Sequence, residues 1–224
     1  KLVWEASRFQ WLVLASQGCV AATKDSPFID LMNFWLSDWS KNNPTNQGVN
    51  WKCGQEASIR VINLLVSCYV LGELKNPQKS LIKMITEHCN RISKTLHYAI
   101  AQDNNHGTSE ASALFIDSSW LDSIEESNNE SRRWLKRSRK SLEERVNHLV
   151  MGDGSFSQHS TNYHRLFLDS ISLVEFFRVK LNQDKFSDKY RFKINLAIEW
   201  LWQLTNSSTG DIPNLGANDG AQLL

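Results

Sequence analysis

Three short polar clusters interrupt an otherwise helical hydrophobic pattern, and each combines hydrogen-bond donors with groups that can move a proton. The first runs Gln102-Asp103-Asn104-Asn105-His106-Gly107-Thr108-Ser109-Glu110 and turns into an apolar helix. The second, from Gly152 to Arg165, contains Asp153-Gly154-Ser155 and then Ser160-Thr161-Asn162-Tyr163-His164-Arg165. The third is Pro213-Asn214-Leu215-Gly216-Ala217-Asn218-Asp219-Gly220. Asn105 and His106, at the mouth of a helix, are suited to hydrogen-bond an anion. Tyr163, with a free pKa of about 10, is an acid at neutral pH and a base only where cations stabilise the phenolate. His164 and Arg165 are the local cations, although Arg165 assists Tyr163 only if this stretch is still loop, because residues i and i+2 of a helix do not share a face. Taken singly, helix-cap and turn chemistry explains the Asn-Asn-His run, and a half-buried aromatic pair explains Tyr163 and His164.

Other candidates lie at helical spacing. Glu110, four residues after His106, can orient the imidazole or serve only as a carboxylate near a helix start. Glu56 and Arg60 are also i,i+4 and can pair with each other. The glycines around Asn214, Asn218 and Asp219 suggest a tight loop close to ligand, with those three side chains as hydroxyl partners.

The elements that must position these groups are almost all helices. Apolar residues recur at a period near 3.6, and strict alternation is hard to find. Helices are expected over 3–20, 27–41, 54–73, 77–101, 107–117, 126–150, 160–181 and 189–205. Asp25-Ser26-Pro27 and Asn76-Pro77 supply cap and N1-proline chemistry. Long helices with polar connectors suit a bundle or a toroid of helical hairpins. The expected fold class is all-α, a single domain over 1–224 built as an incomplete (α/α) toroid and cut short at both ends. Of the nine tryptophans, Trp11, Trp35, Trp200 and Trp202 fall in apolar helical stretches and read as core. The charged run from Glu125 to Arg145 reads as a solvated helix face.

Composition narrows the function classes. Twenty-five Lys and Arg balance 24 Asp and Glu, so no summed positive field favours nucleic acid and an acidic ligand must be held by local groups. The four cysteines have neither zinc-site spacing nor disulfide density, and no apolar run is long enough to span a membrane. A Gly-x-Ser-x-Gly elbow, a phosphate loop, a His-Glu-x-x-His helix and a dinucleotide fingerprint are all missing.

Five motifs in one order carry a resemblance. They are Trp4-Glu5 with Arg8; Trp51-Lys52-Cys53-Gly54-Gln55-Glu56-Ala57-Ser58-Ile59-Arg60; Asn104-Asn105-His106 with Glu110-Ala111; Asp153-Gly154-Ser155 with Ser160 and Tyr163-His164; and Asn214 to Gly220. Together they make the chain similar to the helical domain of heparinase II/III-type polysaccharide lyases and their alginate-lyase relatives. The resemblance implies a helical toroid followed by a β-sandwich region, and cleavage of a uronic-acid-containing glycan by β-elimination. It implies that Asn105 and His106 neutralise the substrate carboxylate and that Tyr163 is the catalytic tyrosine. His164, Arg165, Glu110, Glu56, Arg60, Trp51, Asn214, Asn218 and Asp219 become expected substrate contacts. No cofactor or metal is expected in this chain; its partners are an acidic polysaccharide and the β-sandwich region, not nucleic acid or membrane. A further catalytic His or Tyr is expected from that region, and a periplasmic or secreted location follows from the size of the substrate. Two other readings stay open: an (α/α)-barrel glycoside hydrolase, using two carboxylates from Glu56, Glu110 and Asp153, and a non-catalytic glycan-binding scaffold.

Overall fold

The computed structural model describes residues 2–22, 28–220 and 223, so the expected cap at Asp25-Ser26-Pro27 lies outside the described residues. Among these residues the helices are α1 (Leu2–Ala6), α2 (Gln10–Ala21), α3 (Phe28–Asn42), α4 (Gly54–Val70), α5 (Lys79–Ala101), α6 (Asn105–Ser123), α7 (Asn129–Leu149), α8 (Thr161–Lys180) and α9 (Asp188–Leu204). A 3-10 turn, Val49–Trp51, precedes α4, and β-structure among the described residues is limited to an isolated bridge between Val150 and Phe156.

Burial sorts the helices into two layers. In α4 every residue from Gly54 to Leu65 is buried, and in α6 nearly every residue from Asn105 to Leu121. A helix buried all round must lie inside the fold. α6 can do so because Gly107, Thr108, Ser109, Ala111, Ser112 and Ala113 let neighbouring backbones approach closely; a Cβ on Gly107 would sit 3.2 Å from Ile100 Cα. By contrast α5 buries a stripe, Ile85, His88, Cys89, Ile92 and Leu96, and α7 buries Trp134, Ser138, Ser141, Leu142 and Val146. That spacing turns one face to the core and leaves the other in water, as the outer layer requires. The inner helices α2, α4, α6 and α8 pack side by side in chain order, each joined to its outer partner α3, α5, α7 or α9 as an antiparallel hairpin. The arrangement is an arc of an (α/α) toroid, and its inner helices all begin at one end.

Several boundaries differ from the sequence reading. The expected helix over 3–20 is broken at Ser7-Arg8-Phe9, where Phe9 takes a left-handed φ of 63°. Side chains from α4 fill the break: Arg60 Nη1 donates to Ser7 O (3.3 Å) and Asn63 Nδ2 to Arg8 O (2.9 Å). Asn76-Pro77 does not start α5, whose N-cap is Gln78. α6 starts at Asn105, two residues earlier than Gly107, because the Asn104 side chain accepts the His106 N–H at 2.9 Å. The Glu125–Arg145 run is less solvated than expected: Arg137 donates to Ser93 O midway along α5, and Arg145 pairs with Asp103 and donates to Ile100 O, one of the last carbonyls of α5. Trp35 and Trp202, expected in the core, are 43% and 71% exposed, whereas Trp51 and Trp120 are buried.

Trp51 belongs to a buried knot that holds the start of α4. Arg60 is wholly buried; its guanidinium lies 4.7 Å from the Trp39 ring centroid and 5.5 Å from that of Trp51. It donates to Asn50 O at 2.7 Å and, through Nε, to His88 Nε2 at 2.9 Å. His88 must therefore accept at Nε2 and donate from Nδ1 to Met84 O at 2.7 Å. Burial, and then the charge of Arg60, lower the His88 pKa to about 3. Below the ordinary His value of about 6.5 the unfolded chain takes up a proton that the folded chain refuses. Stability is therefore expected to fall, by at most about 1.4 kcal/mol per pH unit, as pH drops from 6.5 toward the folded value. Urea midpoints measured against pH check this; the slope is expected to shrink in His88→Gln, and an unchanged slope would contradict it.

Candidate active site at the start of the inner helices

The inner helices bring their N-termini to one rim. Gln55 Nε2, in the first turn of α4, donates to Ser109 Oγ of α6 at 3.2 Å. The Asn105 backbone N–H, at the first residue of α6, donates to Gln158 Oε1 at 2.9 Å, and Gln158 lies just before the Ser160 cap of α8. This bond ties the Asn105-His106 turn to the turn that carries Tyr163. Three helix dipoles thus present their positive ends to the same space.

Asn105 is 4% exposed, and its backbone N–H is the donor held by Gln158. His106 is half-buried; burial lowers its pKa, against the opposing charge of Glu56, so the imidazole is neutral at neutral pH. Arg8, in the helix break, grips Glu56 with two bonds, Nε to Oε2 and Nη2 to Oε1, both 2.7 Å. Tyr163 is in the first turn of α8, where its N–H donates to Ser160 Oγ at 3.2 Å. Partial burial raises its phenol pKa, and the Asp219 carboxylate adds to the shift through its charge and a hydrogen bond. Asp219 also lies in the field of Arg8. His106, Glu56, Arg8, Asp219 and Tyr163 therefore form one polar cluster drawn from five separate stretches of chain.

The remaining sequence candidates divide. Arg60 and Trp51 are buried in the knot described above and are supports, not sugar contacts. Nor does Arg60 bond Glu56, whose two oxygens are taken by Arg8. His164 is also buried: its Nε2 bonds Ala197 O at 2.9 Å and its ring stacks on Trp200 at 4.8 Å, so it joins α8 to α9. Arg165 is exposed, and the helix is already formed at Tyr163; its charge acts on Asp169 four residues on, not on Tyr163. Glu110 is 3% exposed and packs against Gly54, where an added Cβ would lie 2.5 Å from Oε2. Burial, opposed by Arg91, pushes its pKa up to about 8, so it is a neutral acid packed beneath the start of α4 and makes no bond to His106. Asn214 and Asn218 are exposed, with Asn218 Nδ2 donating to Asn214 Oδ1 at 2.9 Å, and so they shape their own loop. The carboxylates considered for glycoside hydrolysis do not make a facing pair: Glu56 is held by Arg8, Glu110 is buried, and Asp153 accepts from Ser155 in its own turn. Among the described residues no three His, Cys, Asp or Glu side chains gather as a metal-binding set.

Arg8 and Gln158 were not singled out as site residues by sequence. Arg8 had a signal, its place with Trp4-Glu5 in the first of the motifs that carry the resemblance. Gln158 had none, since its role depends on two helix starts meeting.

The loop that carries Asp219 gives a direct test of this geometry. Gly216 has φ 71°, and a Cβ there would collide with the His159 carbonyl oxygen. Gly216→Ala is therefore expected to lift the loop from the start of α8 and to lower turnover about 10-fold or more, while the urea midpoint barely moves because the loop is exposed. Wild-type kinetics in that variant would separate the loop from the site.

Comparison with known proteins places this geometry in a wider group. Compared by sequence with curated proteins, the chain has no match. By structure it is similar to a heparinase III at TM-score 0.67 and 16% identity, covering 92% of this chain and 35% of that one. It is also similar to heparan sulfate lyase HepC from Pedobacter heparinus at TM-score 0.63 and 20% identity, covering 94% of this chain and 33% of that one. The chain thus spans about a third of the length of these structures, and identities this low speak for the shared fold. The family model described as heparinase II/III N-terminus matches residues 1–221, and with nearly the whole chain inside it, the chain belongs to the heparinase II/III family.

Proposed function

We propose that the chain is the helical catalytic part of a polysaccharide lyase that cleaves uronic-acid-containing glycans by β-elimination. One observation carries the reading: the Gln158 bond to Asn105 sets the starts of α6 and α8 together, so that His106 and Tyr163, remote in sequence, serve one cleft. The chemical obstacle is the C5 proton, whose removal puts negative charge beside an existing carboxylate. The Asn105 amide and the neutral His106 imidazole offer N–H donors at a helix N-terminus, where the dipole adds favourable potential for an anion. Donors of this kind typically contribute about 10²- to 10³-fold in rate each.

Tyr163 supplies the proton that the leaving oxygen needs. With its pKa raised, the phenol is fully protonated at neutral pH and can deliver its proton to O4 as the C4–O bond breaks. The C5–H bond breaks in the same elimination, its electron pair forms the C4–C5 double bond, and the C5 proton passes to a base. For that base the resemblance points to a His or Tyr of the β-sandwich region. Proton transfer and charge stabilisation are all the reaction asks for, and side chains can provide both without a cofactor. A polymer substrate is met outside the cytoplasm, which suits a periplasmic or secreted enzyme; among the described residues no helix is long and apolar enough to cross a membrane.

The experiment is digestion of a panel of uronate polysaccharides, including alginate, heparan-type and hyaluronan-like chains, by the full-length gene product. New ultraviolet absorbance from an unsaturated uronate at the non-reducing end is expected with at least one. Chain cleavage without that absorbance would replace the lyase with a hydrolase, and binding without cleavage would favour the scaffold.

A further inference from the structure

The loop from Pro213 to Gly220 transfers no proton in the reaction proposed above, yet several hydrogen bonds fasten it to the residues that open α8. Thr161 N donates to Leu215 O at 3.0 Å, Thr161 Oγ1 to Pro213 O at 2.8 Å, and Leu215 N to Thr161 Oγ1 at 3.1 Å. Ser160 Oγ donates to Ala217 O at 2.5 Å, and Gly216 packs directly on His159 and Ser160. Inside the loop, Gly220 N donates to Asn218 Oδ1 at 2.9 Å. These bonds fix the backbone on both sides of the segment, and the side chain they deliver to the site is Asp219. Its carboxylate hydrogen-bonds the Tyr163 phenol and lies within the field of Arg8, and Arg8 is locked by its two bonds to Glu56.

We infer that Asp219 is a positioning residue: held between Tyr163 and the Arg8–Glu56 pair, it fixes the phenol ring at the cleft and keeps Tyr163 a proton donor. The inference rests on the lyase reading for the use of that proton, but not for the interaction itself. At rest the phenol donates to Asp219. Rotation about the Cζ–O bond turns the hydroxyl toward a bound O4 at the cost of that one hydrogen bond. Once the proton has gone, phenolate and carboxylate repel each other, which favours prompt reprotonation before the next turnover. Arg8 limits the repulsion by neutralising part of the Asp219 charge. Among the described residues, the charged groups that act on this pair include Asp219 from the C-terminal loop, Arg8 and Glu5 in the N-terminal segment and Glu56 from α4; on α8 itself, Arg165 acts on Asp169 and His164 is turned into the core. Burial also raises the phenol pKa, so the variants below, which leave the burial in place, isolate the charge.

The test is an ultraviolet titration of Tyr163 in the full-length protein, isolated as the difference between each protein and its Tyr163→Phe counterpart. Asp219→Asn is expected to ionise Tyr163 at lower pH than wild type, and Asp219→Glu to stay close to wild type. Arg8→Gln is expected to move the ionisation the opposite way, upward, because the carboxylate is then less neutralised. Asp219 is exposed, so its variants put little of the fold at risk. No substrate is needed, and the titration remains decisive whether or not a uronate chain is turned over. On a confirmed substrate, the alkaline limb of kcat is expected to move down in pH with the titration in Asp219→Asn. At neutral pH kcat is expected to fall about 10-fold with KM changed less than about two-fold, and Asp219→Glu to recover most of the loss. An unchanged Tyr163 ionisation in Asp219→Asn, or a downward shift in Arg8→Gln, overturns the inference.

Discussion

Tyr163→Phe in the full-length enzyme is expected to reduce formation of unsaturated product about 10³-fold or more while polysaccharide binding stays within a few-fold of wild type. The ring that Phe retains keeps its place in the first turn of α8, and with it the apolar contact with sugar that the proposed mechanism assigns to it; only the transferable proton is lost. An interaction used only in the transition state lowers kcat and kcat/KM together and leaves ground-state binding alone. Asn105→Ala is expected to behave differently. In the proposed mechanism its amide contacts the uronate carboxylate in the ground state and more strongly as charge builds, so KM is expected to rise as kcat falls. Two measurements decide the matter: steady-state rates by ultraviolet absorbance on a confirmed substrate, and binding of the same polymer to each variant by calorimetry. Wild-type turnover by Tyr163→Phe would return Tyr163 to a structural role and remove the acid from the mechanism.

The other large effect concerns stability. Arg60→Ala is expected to destabilise the fold by about 3 to 5 kcal/mol, a loss on the scale of a large buried side chain with several hydrogen bonds. Removing the guanidinium leaves Ser7 O, Asn50 O and His88 Nε2 without their donor, and opens a void between the Trp39 and Trp51 rings. Arg60 remains charged in spite of its burial, which lowers its pKa to about 10, well above neutrality; Glu56 counters part of that lowering. Carbonyl dipoles and the π faces replace the water it has lost. Arg60→Lys is expected to recover little, since an ammonium cannot span the fork that reaches two carbonyls and an imidazole. Urea denaturation followed by circular dichroism gives the measurement. A wild-type midpoint in Arg60→Ala, together with a raised KM, would put Arg60 back on the cleft wall where its sequence neighbours suggested it.

The sequence alone determined the helical class, because a period of 3.6 in the apolar residues leaves a helix few alternatives. It also determined where chemistry could reside. Asn105, His106 and Tyr163 stand at helix starts because Asn104 and Ser160 are good caps, and capping is a local property that residues within one turn decide. What local chemistry could not decide was direction. Glu56 and Arg60 have the spacing of an i,i+4 pair, yet Arg8, 48 residues from Glu56, takes the carboxylate, and Arg60 turns inward to close a helix break 53 residues away. Glu110 has the spacing to serve His106 but meets Gly54 of another helix, and burial there makes it a neutral acid. The tryptophans went the same way: Trp202 is exposed although it sits among apolar residues, and Trp51 is buried although Asn50 and Lys52 flank it. Helical period tells which residues share a face; only the packing of one helix on another decides what that face meets. Asp219 reached Tyr163 through such packing, by way of a loop whose glycine fits only against the turn it touches.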